Sequence, residues 1–124
     1  GFAIRRPKEW LWLGSQSGEL ITRFTSAQEE VSDVCQLSIY DKETTMDKSA
    51  LTLSDTVSVH LNNAPATRKN YVDNNLNLQL FTILVQTRKG TIQLVGQNGA
   101  VYIGERSLGC LPLLESSVMS FELR

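Results

Sequence analysis

Apolar and polar residues alternate along several segments of the chain, which is the pattern of half-buried β-strands. The clearest alternation runs from residue 51 to residue 61, and its apolar positions of one parity are Leu51, Leu53, Val57, Val59 and Leu61. Asp55 interrupts this series. Because an unpaired carboxylate on a core face is costly, we expect a bend between two strands at Asp55.

The most apolar segment is Leu76–Thr87, which we interpret as a core strand. Its apolar residues change parity in mid-segment, and this predicts a bulge or a strand that passes from one sheet to another. Asn98 and Gly99 form the dipeptide typical of a tight β-hairpin, so we expect Ala100–Ile103 to pair back across that turn. The segment 105–117 is interpreted as irregular, and 118–123 as a closing strand.

Helical signals are few. Ser26 and Glu29 have the spacing of a capping box, which predicts one or two helical turns near residues 26–32. About eight short strands separated by turn residues, without alternating helices, predict an all-β fold: an antiparallel β-sandwich, jelly roll or barrel.

A length of 124 residues corresponds to one domain. Residues 1–9 are basic and contain a proline, so we expect them to form an N-terminal arm, and residues 10–124 to form a single β domain. The chain begins with Gly1 rather than Met, which favours a domain of a larger protein or assembly. No apolar stretch is long enough to predict a membrane span.

The nearly neutral net charge argues against one functional class, the dedicated nucleic-acid binders. Twelve Lys and Arg residues oppose thirteen Asp and Glu residues, for a net charge of −1. A dedicated nucleic-acid binder usually has a basic excess, because phosphate contacts need Lys or Arg. The two cysteines, Cys35 and Cys110, leave two interpretations open, a disulfide or two buried thiols.

The sequence contains no convincing catalytic or metal-binding pattern. His60 is the only histidine, and its parity places it on the outer face of a strand. A Ser-His-acid triad would have to use His60, and the C-x-x-C and H-x-x-x-H spacings typical of zinc sites do not occur. Cys110 follows a glycine and is the more plausible reactive thiol of the two. We therefore predict no catalytic residue, no metal and no cofactor.

Candidate binding residues are aromatic and basic. Trp10 and Trp12 share one parity, so in a strand both rings would form an exposed patch or both would pack inward. Exposed tryptophans are frequent hot spots for protein or sugar ligands, and they also stack on nucleic-acid bases. The basic and aromatic residues expected near them are Arg5, Arg6, Arg68, Lys69 and Tyr71.

These observations favour a non-enzymatic interaction module. We expect it to form protein–protein contacts with itself or with neighbouring subunits, in a homo-oligomer or in a virion, tail, pilus or surface protein. The alternative is a β domain that binds carbohydrate or single-stranded nucleic acid.

Overall fold

The computed structural model describes residues 2–7, 10–13, 20–25, 35–44, 50–62, 64–74, 78–98, 100–103 and 106–124. Within them the chain forms eleven β-strands and one α-helix. In chain order these are β1 (Phe2–Ala3), β2 (Leu11–Leu13), β3 (Leu20–Thr25), β4 (Gln36–Tyr40), β5 (Leu51–Leu61), β6 (Ala64–Asp73), β7 (Leu78–Thr87), β8 (Gly90–Asn98), β9 (Ala100–Ile103), β10 (Arg106–Gly109), α1 (Leu111–Met119) and β11 (Glu122–Leu123).

Seven strands form one antiparallel sheet in the order β2-β3-β4-β8-β7-β6-β5. Two smaller antiparallel sheets pair β1 with β11 and β9 with β10. The seven-stranded sheet does not close into a barrel, since β2 and β5 lie at its two edges. The predicted all-β antiparallel class is confirmed, in an open, sandwich-like form.

The core lies between one face of the large sheet and the C-terminal segment. Aligned positions across the sheet place Phe24, Leu37 and Phe81 on this face, and all three are buried. Leu114 and Val118 of α1 lie one helical turn apart and are buried in the same cluster. We call this side of the sheet the helix-covered face.

The N-terminal residues pack on the same molecule. Phe2 is aligned with Leu123 in the β1–β11 pair, and its ring stacks on that of Phe121 with centroids 5.4 Å apart. Phe121 is fully buried. The first residues of the segment predicted as an arm therefore contribute to the apolar cluster beneath α1.

The predicted bend at Asp55 is wrong. β5 is one continuous strand, and the irregularity is a register shift against β6 between Leu53 and Asp55. The carboxylate stays exposed and accepts a hydrogen bond from Asn70 Nδ2 at 2.8 Å. Because β5 is an edge strand, this position costs no burial of charge.

The bulge or sheet crossing predicted for the core strand is also wrong. β7 pairs with β6 and with β8 in unbroken register. Phe81 and Ile83 are buried on the helix-covered face, while Leu80 and Leu84, on the opposite face, are half-buried. Apolar residues on both parities therefore reflect a central strand that is covered on both faces, without a bulge.

Two C-terminal predictions are corrected. Among the described residues, Ala100–Ile103 pairs with Arg106–Gly109, whereas the sequence predicted that it would pair with β8. The segment interpreted as irregular and then as a strand contains α1, which has Pro112 in its first turn, where a missing N–H costs nothing.

The helical turns predicted at residues 26–32 lie outside the described residues. No helix in the described part of the chain is long and apolar enough to cross a membrane.

Candidate interaction surface

The most accessible element of the sheet is β5. It pairs with β6 on one side and lies at the end of the strand order, so its other side is open in the described part of the chain. Side chains 52–58 are all exposed, and so is His60. At eleven residues, β5 is about twice the usual strand length.

The features that protect this edge are confined to the first half of β5, where Asp55 and the register shift lie. Natural edge strands usually carry lysine, proline or a strong twist that prevents pairing with another chain. β5 contains neither lysine nor proline, and Asp55 is its only acidic residue. Leu53 and Val57 are 49% and 41% exposed. The strand therefore offers unpaired backbone groups together with apolar side chains, and we call it the β5 edge.

The turn that begins after Leu61 holds β5 in place. Asn62 has a φ of 47°, a left-handed conformation that asparagine tolerates better than most residues. Its Nδ2 donates to the carbonyl of Phe121 at 2.7 Å and to that of Met119 at 3.2 Å. The β5–β6 hairpin is therefore tied to the end of α1.

Arg68 connects β6 to the helix and is engaged within the molecule. Its two terminal nitrogens donate to the carboxylate of Glu115, at 2.8 and 2.5 Å. Its Nε donates to Asn70 Oδ1 at 2.9 Å, and its guanidinium lies 4.2 Å from the centroid of the Phe81 ring. With a side chain only 16% exposed, Arg68 is a poor candidate for contact with an external ligand.

The other basic candidates do not gather around Arg68. Lys69 follows it in the strand and therefore lies on the opposite face of the sheet, where Tyr71 is 6% exposed. Arg5 and Arg6 are exposed beside the end of α1, where the Arg5 N–H donates to Ser120 Oγ at 2.7 Å. Lys69 and Tyr71 lie on one face of the sheet and Arg68 on the other, because successive side chains of a strand alternate between the two faces.

The two tryptophans do not share a surface. Trp10 precedes β2, donates its backbone N–H to the carbonyl of Pro7, and is buried at 6% exposure. Trp12 is 63% exposed, and its indole N–H donates to Thr22 Oγ1. The parity argument fails because Trp10 lies outside the strand. Only Trp12 is available for stacking on a ligand.

Cys35 and Cys110 form a disulfide, and both are buried. The bond joins the residue before β4 to the residue before α1, and so fixes the start of the helix against the sheet. The interpretation of Cys110 as a reactive thiol is therefore wrong for the folded protein.

His60 lies on β5 opposite Pro65 and is exposed. Among the described residues, no three His, Cys, Asp or Glu side chains lie close enough together to hold a metal ion.

A pocket of about 730 Å³ lies at the turn between β7 and β8. This volume is within the range of small-molecule sites, roughly 300–1,000 Å³. Phe2 and Ile92 contribute apolar surface to it, and the charged residues that line it are Asp41, Arg88, Lys89 and Arg124. Three of these four charged residues are basic, so the pocket has a net positive lining.

The chain matches no protein-family model and no curated protein sequence. The β5 edge and the pocket are therefore interpreted from their own residues.

Proposed function

We propose that this protein is a non-enzymatic assembly module in which the β5 edge pairs with a strand of a neighbouring subunit. The assembly would be an oligomer or a larger structural complex, such as a virion, a tail, a pilus or a surface protein. The observation that carries the proposal is the open side of an eleven-residue strand that contains neither lysine nor proline.

Backbone hydrogen bonds support this mode of binding. In an antiparallel strand every second residue directs its N–H and C=O away from the existing partner, so about half of β5 can bond to an added strand. Each such bond contributes about 0.5–1.5 kcal/mol net. Several of them, together with an apolar contact from Val57, would favour β-strand addition.

Light scattering coupled to size-exclusion chromatography tests the proposal. We expect the wild-type protein to show a mass above 13.8 kDa that rises with concentration. Val57→Lys and Ser58→Lys place a charge at exposed positions of the open edge and should shift the protein to monomer. Met119→Lys is the matched control, because Met119 is 64% exposed on α1 and lies outside the large sheet.

The outcomes separate clearly. Loss of assembly in both β5 variants, with Met119→Lys unchanged, supports the proposal. If all the proteins assemble equally, or if the control variant loses as much mass as the β5 variants, the edge is not the contact. A wild-type protein that is monomeric at every concentration tested would overturn the proposal.

The second candidate function is binding of single-stranded nucleic acid or carbohydrate. For nucleic acid the supporting observation is the pocket, where Arg88 and Lys89 take part in no ion pair among the described residues. For carbohydrate it is the exposed ring of Trp12.

Calorimetric titrations with a deoxythymidine decamer and with glycans test this second candidate. Nucleic-acid binding should weaken with salt and should be lost in Arg88→Gln/Lys89→Gln, whereas Arg6→Gln is the control. Salt-insensitive glycan binding that is lost in Trp12→Ala would favour carbohydrate. Absence of heat with both ligands would reject this candidate.

A further inference from the structure

We infer that the strand added to the β5 edge is β5 of a second copy, paired antiparallel about a two-fold axis at Ser58. This inference rests on the proposed function, because both use the same edge. It goes further by naming the occupant and the register.

The position of the register shift selects the segment that pairs with itself. The irregularity lies between Leu53 and Asp55, so residues 55–61 are the regular part of β5. The middle of these seven residues is Ser58. A two-fold axis at Ser58 is the register that pairs this segment over its whole length.

Side-chain alternation favours this register. Val57 and Val59 share the helix-covered face, and the axis at Ser58 places Val57 of each copy opposite Val59 of the other. Two apolar pairs therefore form on one face. On the other face Thr56 lies opposite His60, and Ser58 opposite its own copy, so every pair on this side joins hydrogen-bonding side chains.

Charge also permits self-pairing. Asp55 is the only acidic residue of β5, and like charges directly opposite each other would oppose association. In the proposed register Asp55 lies opposite Leu61, so the two carboxylates are six residues apart along the ribbon, about 20 Å. This is about twice the screening length at physiological ionic strength, so their repulsion is small.

Cysteine cross-linking tests both the occupant and the register. Residues directly opposite in an antiparallel pair have Cα atoms about 4.5–5.5 Å apart, within the range that a disulfide needs. Ser58→Cys should therefore form a covalent dimer under mild oxidation, seen as a doubled mass on non-reducing gels. The native cysteines are bonded to each other, so the added thiol is the only free one.

Thr56→Cys and His60→Cys are the matched controls, since both positions are exposed on the same strand. Alone, each residue lies about 13 Å from its own copy, which is too far for a disulfide. An equimolar mixture, with one variant labelled by heavy isotopes, should give a mixed Thr56→Cys/His60→Cys dimer.

Failure of this inference is distinguishable from failure of the proposed function. If Ser58→Cys does not cross-link while Val57→Lys still disrupts assembly, the edge binds another strand or another register. Equal cross-linking of all three single variants would indicate random collision and would also overturn the inference. Cross-linking confined to Ser58→Cys and to the mixture supports it.

Discussion

Arg68 and Glu115 form a bidentate ion pair that joins β6 to α1, and the Arg68 guanidinium lies above the ring of Phe81. The arginine is the more buried partner, with a side chain 16% exposed against 38% for Glu115. Loss of the carboxylate therefore leaves a cation that water reaches poorly, whereas loss of the arginine leaves an acid that water can solvate.

Glu115→Gln should lower the free energy of unfolding by about 1–2 kcal/mol, because the guanidinium loses its charged partner. Urea denaturation monitored by tryptophan fluorescence measures the change. The double variant with Arg68→Met should be less destabilised than the sum of the two single variants. Full additivity would show that the pair contributes no interaction of its own.

Gly96→Ala should destabilise the protein by about 1–3 kcal/mol through overpacking. An added Cβ would lie 2.1 Å from Cζ of Phe81, and that ring is buried at 2% exposure. Thermal denaturation of Gly96→Ala and of Gly96→Ala/Phe81→Leu checks this explanation. With Phe81→Leu alone as the reference, the double variant should lose less stability than the sum of the two single variants, and additive losses would contradict the contact.

Gly90→Ala is a useful contrast, because an added Cβ there meets no atom within 4 Å. Its φ of 136° is unfavourable for alanine, so we still expect a loss of about 1 kcal/mol. Since this cost is one of backbone strain, Phe81→Leu should not relieve it. Relief by that substitution would disprove the distinction between the two glycines.

Reduction of the disulfide should strongly destabilise the fold. Cys35 and Cys110 are 75 residues apart, and closing a loop of this length corresponds to about 4 kcal/mol in the chain-entropy treatment. Cys35→Ala/Cys110→Ala should therefore unfold at much lower urea than the wild-type protein. Addition of a reductant should lower the wild-type midpoint and leave that of the double variant unchanged. An unchanged wild-type midpoint after verified reduction would contradict the expectation.

Acrylamide quenching should distinguish the two tryptophans. Trp12 is 63% exposed and Trp10 is 6% exposed, so most quenching should come from Trp12. Trp12→Phe should lose most of the quenchable emission, whereas Trp10→Phe should retain it. Similar quenching of the two variants would mean that the tryptophans are equally accessible in solution.

Local alternation was sufficient to predict several strands. The segments 51–61 and 76–87 both appear in the structure as strands close to their predicted bounds. The strand β6 was not predicted as such, because Arg68 and Lys69 resemble the basic residues of a turn. Only the long-range pair with Glu115 explains why an arginine lies on the helix-covered face.

Local sequence patterns could not predict that β5 lies at the edge of the sheet. Alternation states that a segment is a strand, but strand order depends on contacts between distant parts of the chain. The lack of lysine and proline in 51–61 does not distinguish an edge strand from a central one, since the central strand β7 lacks both as well. The helix was missed for a related reason, since Leu114 and Val118 are recognisable as one face only when the sheet they cover is known.

Asn62 connects the C-terminal segment to the end of the β5 edge. Its side-chain amide holds the carbonyls of Met119 and Phe121, while its backbone makes the turn that ends β5. Proteolytic cleavage after Ser120 would release one of these anchors and let the hairpin tip fray back from Leu61. The C-terminal residues thus stabilise the end of β5. Their removal would shorten the regular part of β5 that is available to a neighbouring strand.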